Sequence, residues 1–211
     1  MDRTKIVRFV VALVCGAALL VTAGCGAARP VKYYTLDPAP ILGASVTATN
    51  DGLLPVSILV GRITASQVYL DHPIVYSTGG VELGTYDYHR WAGVPTETLE
   101  TMLAESLRAK GHFRSVARIG RGTKGDYIVR GHLYALEEVD SPSLSARFSL
   151  ELELFQPSTG AVVWTQSYSH TEPVSKKSVI AVVRALHQEV LAGLGQLTTG
   201  LDAYVTSVAG R

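Results

Sequence analysis

The sequence predicts an α+β domain: an antiparallel β-sheet with two long helices packed against it and a projecting β-hairpin. Three observations carry this. Residues 144–154 alternate without a break, with Leu144, Ala146, Phe148, Leu150, Leu152 and Leu154 set against Ser145, Arg147, Ser149, Glu151 and Glu153. Such a period of two means a strand with one face on a core and one in water. Around it, strand follows strand through short turn signals, D-S-P-S at 140–143 and Q-P-S-T-G at 156–160, and that succession opposes a doubly wound parallel sheet. Two stretches, 94–110 and 175–197, instead space their apolar residues by three and four, the mark of an amphipathic helix.

From the N-terminus, Arg3, Lys5 and Arg8 precede an apolar run over 9–21 that is too short to span a bilayer comfortably. It ends in Thr22-Ala23-Gly24-Cys25. Small residues before a cysteine resemble a bacterial lipobox, with Thr22 where leucine is usual; an ordinary signal peptide cleaved after Ala23 or Ala27 is the other reading. Cysteine arithmetic favours the first. Cys15 lies in the run that would be discarded, which leaves Cys25 as the one cysteine of an exported chain, without an intramolecular partner. Acylation gives it a role. The division is then a lipoprotein signal peptide over 1–24, an acylated tether over 25–30 and a single domain over 31–211.

A lipoprotein cysteine carries a diacylglycerol and usually a third chain such as palmitate, and several chains hold a protein firmly at a membrane. By analogy with enterobacterial sorting, Gly26 in place of an aspartate favours the outer membrane over retention at the inner one. The 211-residue chain less its first 24 leaves 187 residues, enough for one domain with a full core. Removing three basic and one acidic residue takes the net charge from +1 to −1. With no basic block or interleaved aromatic stripe, nucleic acid is not an expected partner.

Residues 31–36 read as a first strand, and 37–51, rich in Pro, Gly, Ala, Thr and Asn, as a loop. Residues 53–63 are apolar and β-branched, a buried strand that Pro55 starts or edges. The hairpin follows: runs at 74–76 and 81–88 flank Ser77-Thr78-Gly79-Gly80, and paired glycines allow the positive φ angles of a tight turn. Pro95 opens the first helix, which aligns Leu99, Met102, Leu103 and Leu107, carries Glu97 and Glu100 at its start, and ends at Gly111. Residues 112–119 form a short strand.

Gly120 to Gly125 spell G-x-G-x-x-G, yet strand residues follow them where a dinucleotide site needs a helix N-terminus, so they are a turn. In the meander, Tyr127, Val129, Leu133, Ala135 and Val139 are assigned to one strand face, and Glu137-Glu138 to a charged turn entrance. Residues 161–170 form its third strand. The second long helix aligns Val179, Val183, Leu186, Val190 and Leu194, and Gly193, Gly195 and Gly200 weaken its far end before a short last helix over 201–208.

Catalytic groupings are absent from the sequence. It holds no G-x-S-x-G, H-E-x-x-H or Walker sequence. Its six histidines stand scattered, none at paired helical ligand spacing, although three lie in predicted strands where cross-strand clustering is open. Enzyme activity is not expected, no cofactor is implied, and no metal site is assigned.

The order of features from Tyr33-Tyr34-Thr35-Leu36 to the final helix resembles the PqiC/YmbA-type auxiliary lipoproteins of ABC and MCE lipid-transport systems. The resemblance rests on Tyr69-Leu70-Asp71-His72-Pro73, a strand pair, Arg90-Trp91 and a helix begun by Pro95. His72 stands where the family usually has a basic residue, and Ala92-Gly93 where an acidic one often follows the tryptophan. The resemblance implies a non-catalytic component that docks an MCE-type periplasmic protein at the outer membrane, anchored through Cys25 and supporting envelope integrity. Tyr69, Leu70, Asp71, Pro73, Arg90 and Trp91 become the candidate partner-binding residues, since aromatics and arginine most often anchor interfaces. For the same cluster a structural role stands level: Trp91 as a core plug, Asp71 with Arg90 as an internal pair. A homo-oligomeric ring through sheet edges or the last helix suits a docking module for a conduit. The alternatives are a lipid carrier or chaperone with a hydrophobic cavity, and a hydrolase with an unfamiliar site.

Overall fold

A computed structural model describes residues 29–36 and 53–209. The segment read as a signal peptide, Cys25 and the stretch 37–51 read as a loop lie outside the described residues. In chain order the elements are β1 (Lys32–Tyr34), β2 (Leu54–Ala65), a 3-10 turn (Gln67–Tyr69), β3 (Pro73–Thr78), β4 (Glu82–Trp91), α1 (Pro95–Lys110), β5 (Phe113–Arg118), β6 (Tyr127–Val139), β7 (Ser145–Gln156), β8 (Ala161–Pro173) and α2 (Val179–Ala209).

The eight strands make one sheet, with α1 over β2 and β5 and α2 over β7 and β8. The α+β class and the two covering helices are as predicted. The sheet itself is mixed. β6–β7–β8 form the expected antiparallel meander and β3–β4 the hairpin, whereas β1–β4, β2–β5, β2–β6 and β3–β6 run parallel. The cause is the way β6 is shared. Its first half pairs β2 from Ile58↔Tyr127 to Ala65↔Leu133, and its last residues pair β3 from Val75↔Glu137 to Ser77↔Val139. β2 and β3 therefore lie end to end along one edge of β6, and the chain between them leaves the sheet for the 3-10 turn.

Local chemistry explains most elements. Gly79 and Gly80 have φ of 58° and 72°, and Val81 N–H donates to Thr78 C=O at 3.2 Å, which is the primed turn that a right-twisted hairpin requires. In α1 the aligned Leu99, Met102, Leu103 and Leu107 are all fully buried, each side chain contributing on the order of 2 kcal/mol through area removed from water. The glycine-rich 120–125 segment is a turn, as read: Thr123 N–H donates to Gly120 C=O at 3.2 Å, and Gly122 has φ of 77°.

Two assignments change. A bulge between Leu133 and Ala135 shifts β6 by one residue, so that Leu136 opposes Phe148 and Glu138 opposes Ala146. Leu136 thereby joins the core face in place of Ala135, and Glu137, opposite Arg147, turns to the other face. The second change is in α2, which runs unbroken through the glycines expected to end it. A Cβ on Gly193 would lie 2.7 Å from the Tyr168 ring and 2.8 Å from that of Phe148, and one on Gly200 would strike the Gln166 side chain. These glycines let the helix approach the sheet closely, and that packing outweighs their poor helix propensity.

Candidate functional site

The 3-10 turn at Gln67–Tyr69 and the two ends of the hairpin meet where β3 begins and β4 finishes. Tyr69 N–H donates to Ser66 C=O at 3.0 Å and Leu70 N–H to Gln67 C=O at 3.1 Å, which fixes the turn. The Tyr69 side chain is buried, and its hydroxyl donates to Glu137. Burial first, and then that carboxylate, hold the phenol far above its ordinary range. Glu137 is itself fully buried and also accepts from Arg147, whose Nε is buried with no partner among the described residues. Beside it, Glu138 accepts the Tyr86 hydroxyl at 2.9 Å, and burial pushes this carboxyl up from its usual range. The two acids read as a charged turn entrance are thus interior groups that lock the turn and the hairpin onto β6.

His72 ties the other side together. Trp91 N–H donates to His72 C=O at 2.6 Å, while His72 Nδ1 lies 3.1 Å from Trp91 O. A carbonyl only accepts, so Nδ1 carries the hydrogen. Trp91 is buried in the core cluster, next to Tyr34 of β1 and near the Pro95 end of α1. Pro73 opposes Arg90 in the ladder, and both are half-buried. Asp71 is exposed, and its Oδ1 takes the His72 N–H at 2.7 Å in place of the pair envisaged with Arg90. Leu70 stands out at 39% exposure.

The six candidate residues therefore occupy one locality in two layers. Tyr69 and Trp91 lie inside and fix its shape, Pro73 and Arg90 sit between, and Leu70 and Asp71 reach solvent. Leu70 also borders a groove of about 600 Å³ between the end of β2, the start of α1 and the exit of β5. Its walls include Arg62, Glu97, Glu100, Arg118 and the exposed Ile119. Glu100 is largely buried here: one oxygen accepts Ile63 N–H at 3.0 Å and the other accepts from Arg118. The Ile63 N–H is available because β2 bulges away from β6 between Val60 and Ile63, so a helix carboxylate replaces a lost ladder partner. At the level of sequence Glu100 serves the helix dipole, Glu137 a charged turn entrance and Arg147 a wet strand face, while Arg62 and Arg118 have no assigned role. The signal for Glu137 was an acidic pair directly after the apolar run 133–136 and before Val139.

An exposed leucine and aspartate on a rigid base beside a groove of mixed charge can bind a complementary surface. No helix of the described residues is long and apolar enough to cross a membrane.

Comparison with known proteins fits this architecture. Residues 34–197 match the family described as the ABC-type transport auxiliary lipoprotein component, and the chain belongs to that family, the PqiC/YmbA type. The fold is similar to the crystal structure of protein XCC0632 from Xanthomonas campestris, with a TM-score of 0.64 at 23% identity, covering 85% of this chain and 96% of that one. A second crystal structure, of an uncharacterized protein, gives a TM-score of 0.60 at 14% identity and covers 84% and 99% of the two chains. Among curated protein sequences none matches.

Proposed function

We propose that this auxiliary lipoprotein is a non-catalytic docking component of an MCE/ABC-type lipid-transport system, held by acylated Cys25 at the periplasmic face of the outer membrane. Within this reading, residues 1–24 are removed as a signal peptide and 25–30 tether the domain. The exposed members of the hairpin base, Leu70 and Asp71, meet an MCE-type periplasmic protein. Buried Tyr69 and Trp91 hold them in place, with Pro73 and Arg90 between.

The observation that carries this reading is the two-layer construction itself. An exposed apolar side chain stands on a turn tied to a fully buried carboxylate 68 positions along the chain, and such preorganisation reduces the ordering cost of association. A carrier would need an apolar chamber. The groove beside Leu70 sets Arg62, Glu97, Glu100 and Arg118 among its apolar residues, a mixed lining that suits a protein surface better than an acyl chain, so docking is preferred. The test is a crosslinking pull-down from native membranes with wild type and Cys25→Ser, together with mass spectrometry of the N-terminal peptide. An acylated Cys25 and recovery of an MCE-type protein, reduced in Cys25→Ser, support the proposal. Free lipid co-purifying with no transport component would favour the carrier.

A further inference from the structure

We propose a divalent metal site, with Zn²⁺ the best-matched ion, formed by His170 and Glu172 of β8 and Glu189 of α2. His170 and Glu172 are two apart on a strand and so share a face, and α2 packs across that face with Glu189 directed at it. One ligand atom from each of the three lies within 4.8 Å of the others. At metal–ligand distances of about 2.0–2.2 Å, tetrahedral ligands stand roughly 3.3–3.6 Å apart. The set must close by about 1 Å to reach those spacings, a movement of the size that side-chain torsions supply.

Glu189 is the buried member of the set. Its side chain is nine-tenths buried. Tyr168 donates to its Oε2 at 2.7 Å, and His170 Nδ1 lies 2.8 Å from the same oxygen. Both bonds end on Oε2, and Oε1 takes no hydrogen bond from any described residue. A second carboxylate, Glu172, converges on this point, and no lysine or arginine among the described residues forms an ion pair with either acid. A divalent cation held by all three would offset the two carboxylates.

The donor set selects the ion. A nitrogen with two carboxylate oxygens suits zinc, with three protein ligands and one position left to water, whereas calcium and magnesium prefer oxygen ligands. His170 is about half exposed, which gives the ion a way in. The Tyr168 hydroxyl on Glu189 Oε2 serves as the outer partner that orients a ligating carboxylate. Bound there, the ion would clamp the edge strand β8 to α2.

The test uses the full-length chain purified in detergent, stripped of metal and titrated with ZnCl₂ against a chromogenic chelator. Wild type should bind one Zn²⁺ per chain. Glu172→Gln and His170→Ala should each weaken binding by at least about tenfold, with circular dichroism unchanged. His112→Ala, which removes a histidine paired with Asp202 elsewhere, should leave binding as it was. Wild type showing no one-to-one binding would overturn the proposal. So would equally tight binding by the Glu172→Gln/His170→Ala double variant, which would place the ion on other groups.

Discussion

Replacing Gly193 and Gly195 separately by alanine offers a controlled probe of how α2 meets the sheet. Both glycines lie inside one helix, so either substitution gains about 0.8–1 kcal/mol of helix propensity. Their surroundings differ. A Cβ on Gly195 has no neighbour within 4 Å, whereas one on Gly193 falls 2.7 Å from Tyr168 Cδ1 and 2.8 Å from Phe148 Cε1. Carbon atoms rest at about 3.5–4.0 Å, so the overlap is close to an ångström. Phe148 is fully buried and its ring has nowhere to retreat. The helix must lift or the rings must leave their rotamers, at a cost of about 1–3 kcal/mol. Propensity cancels in the comparison, so Gly193→Ala should be less stable than Gly195→Ala by about 1–3 kcal/mol. For a domain of this size that is roughly 2–12 °C in Tm. Equilibrium urea unfolding and thermal melts followed by circular dichroism measure both values. If the two variants are equally stable, close helix–sheet contact is not what keeps Gly193 in this helix.

Two further outcomes follow from the interior acids and phenols. Arg147→Ala removes the cationic partner of fully buried Glu137; it should destabilise the domain by about 3 kcal/mol, near the lower end for a broken buried pair because Arg147 is partly exposed, as read by the urea midpoint. Burial and the Glu189 contact push the Tyr168 hydroxyl up to about 12, and Tyr69 and Tyr86 are raised further. An unfolded phenol ionises near 10 while the folded one keeps its proton, so stability should fall as pH rises from about 10 to 12. Tyr168→Phe should flatten that decline in unfolding curves taken across the same range; an unchanged slope would refute the assignment.

What the sequence made legible was local. The alternation of 144–154 is decided by each residue's immediate neighbours, and β7 spans it almost to the residue. The stripe of Leu99, Met102, Leu103 and Leu107 likewise defined α1, and the glycine pair defined the hairpin turn. Long-range pairing was not legible. Nothing near residue 60 or 75 says that β2 and β3 pair successive stretches of one β6 edge, so the parallel ladders were not foreseen. Nor does a strand pattern announce the bulge at 133–135 that exchanges the faces of Ala135 and Leu136. Glu137 looked like surface charge because its partners, Tyr69 and Arg147, come from other elements. The glycines of α2 were weighed by propensity, whereas contacts with Phe148, Gln166 and Tyr168 explain two of them. At the candidate site the nearness of the six residues was readable from residue order, but which of them are buried and which exposed required the fold.

The docking proposal stands or falls on which surface meets the partner. A photo-crosslinking amino acid placed at Leu70, 39% exposed at the hairpin base, can be compared with one at Ile180, 51% exposed at the start of α2. Irradiated native membranes should yield an adduct with an MCE-type protein from position 70 and none from position 180. An adduct from position 180 alone, or none from either in membranes that contain the transport system, would contradict the account.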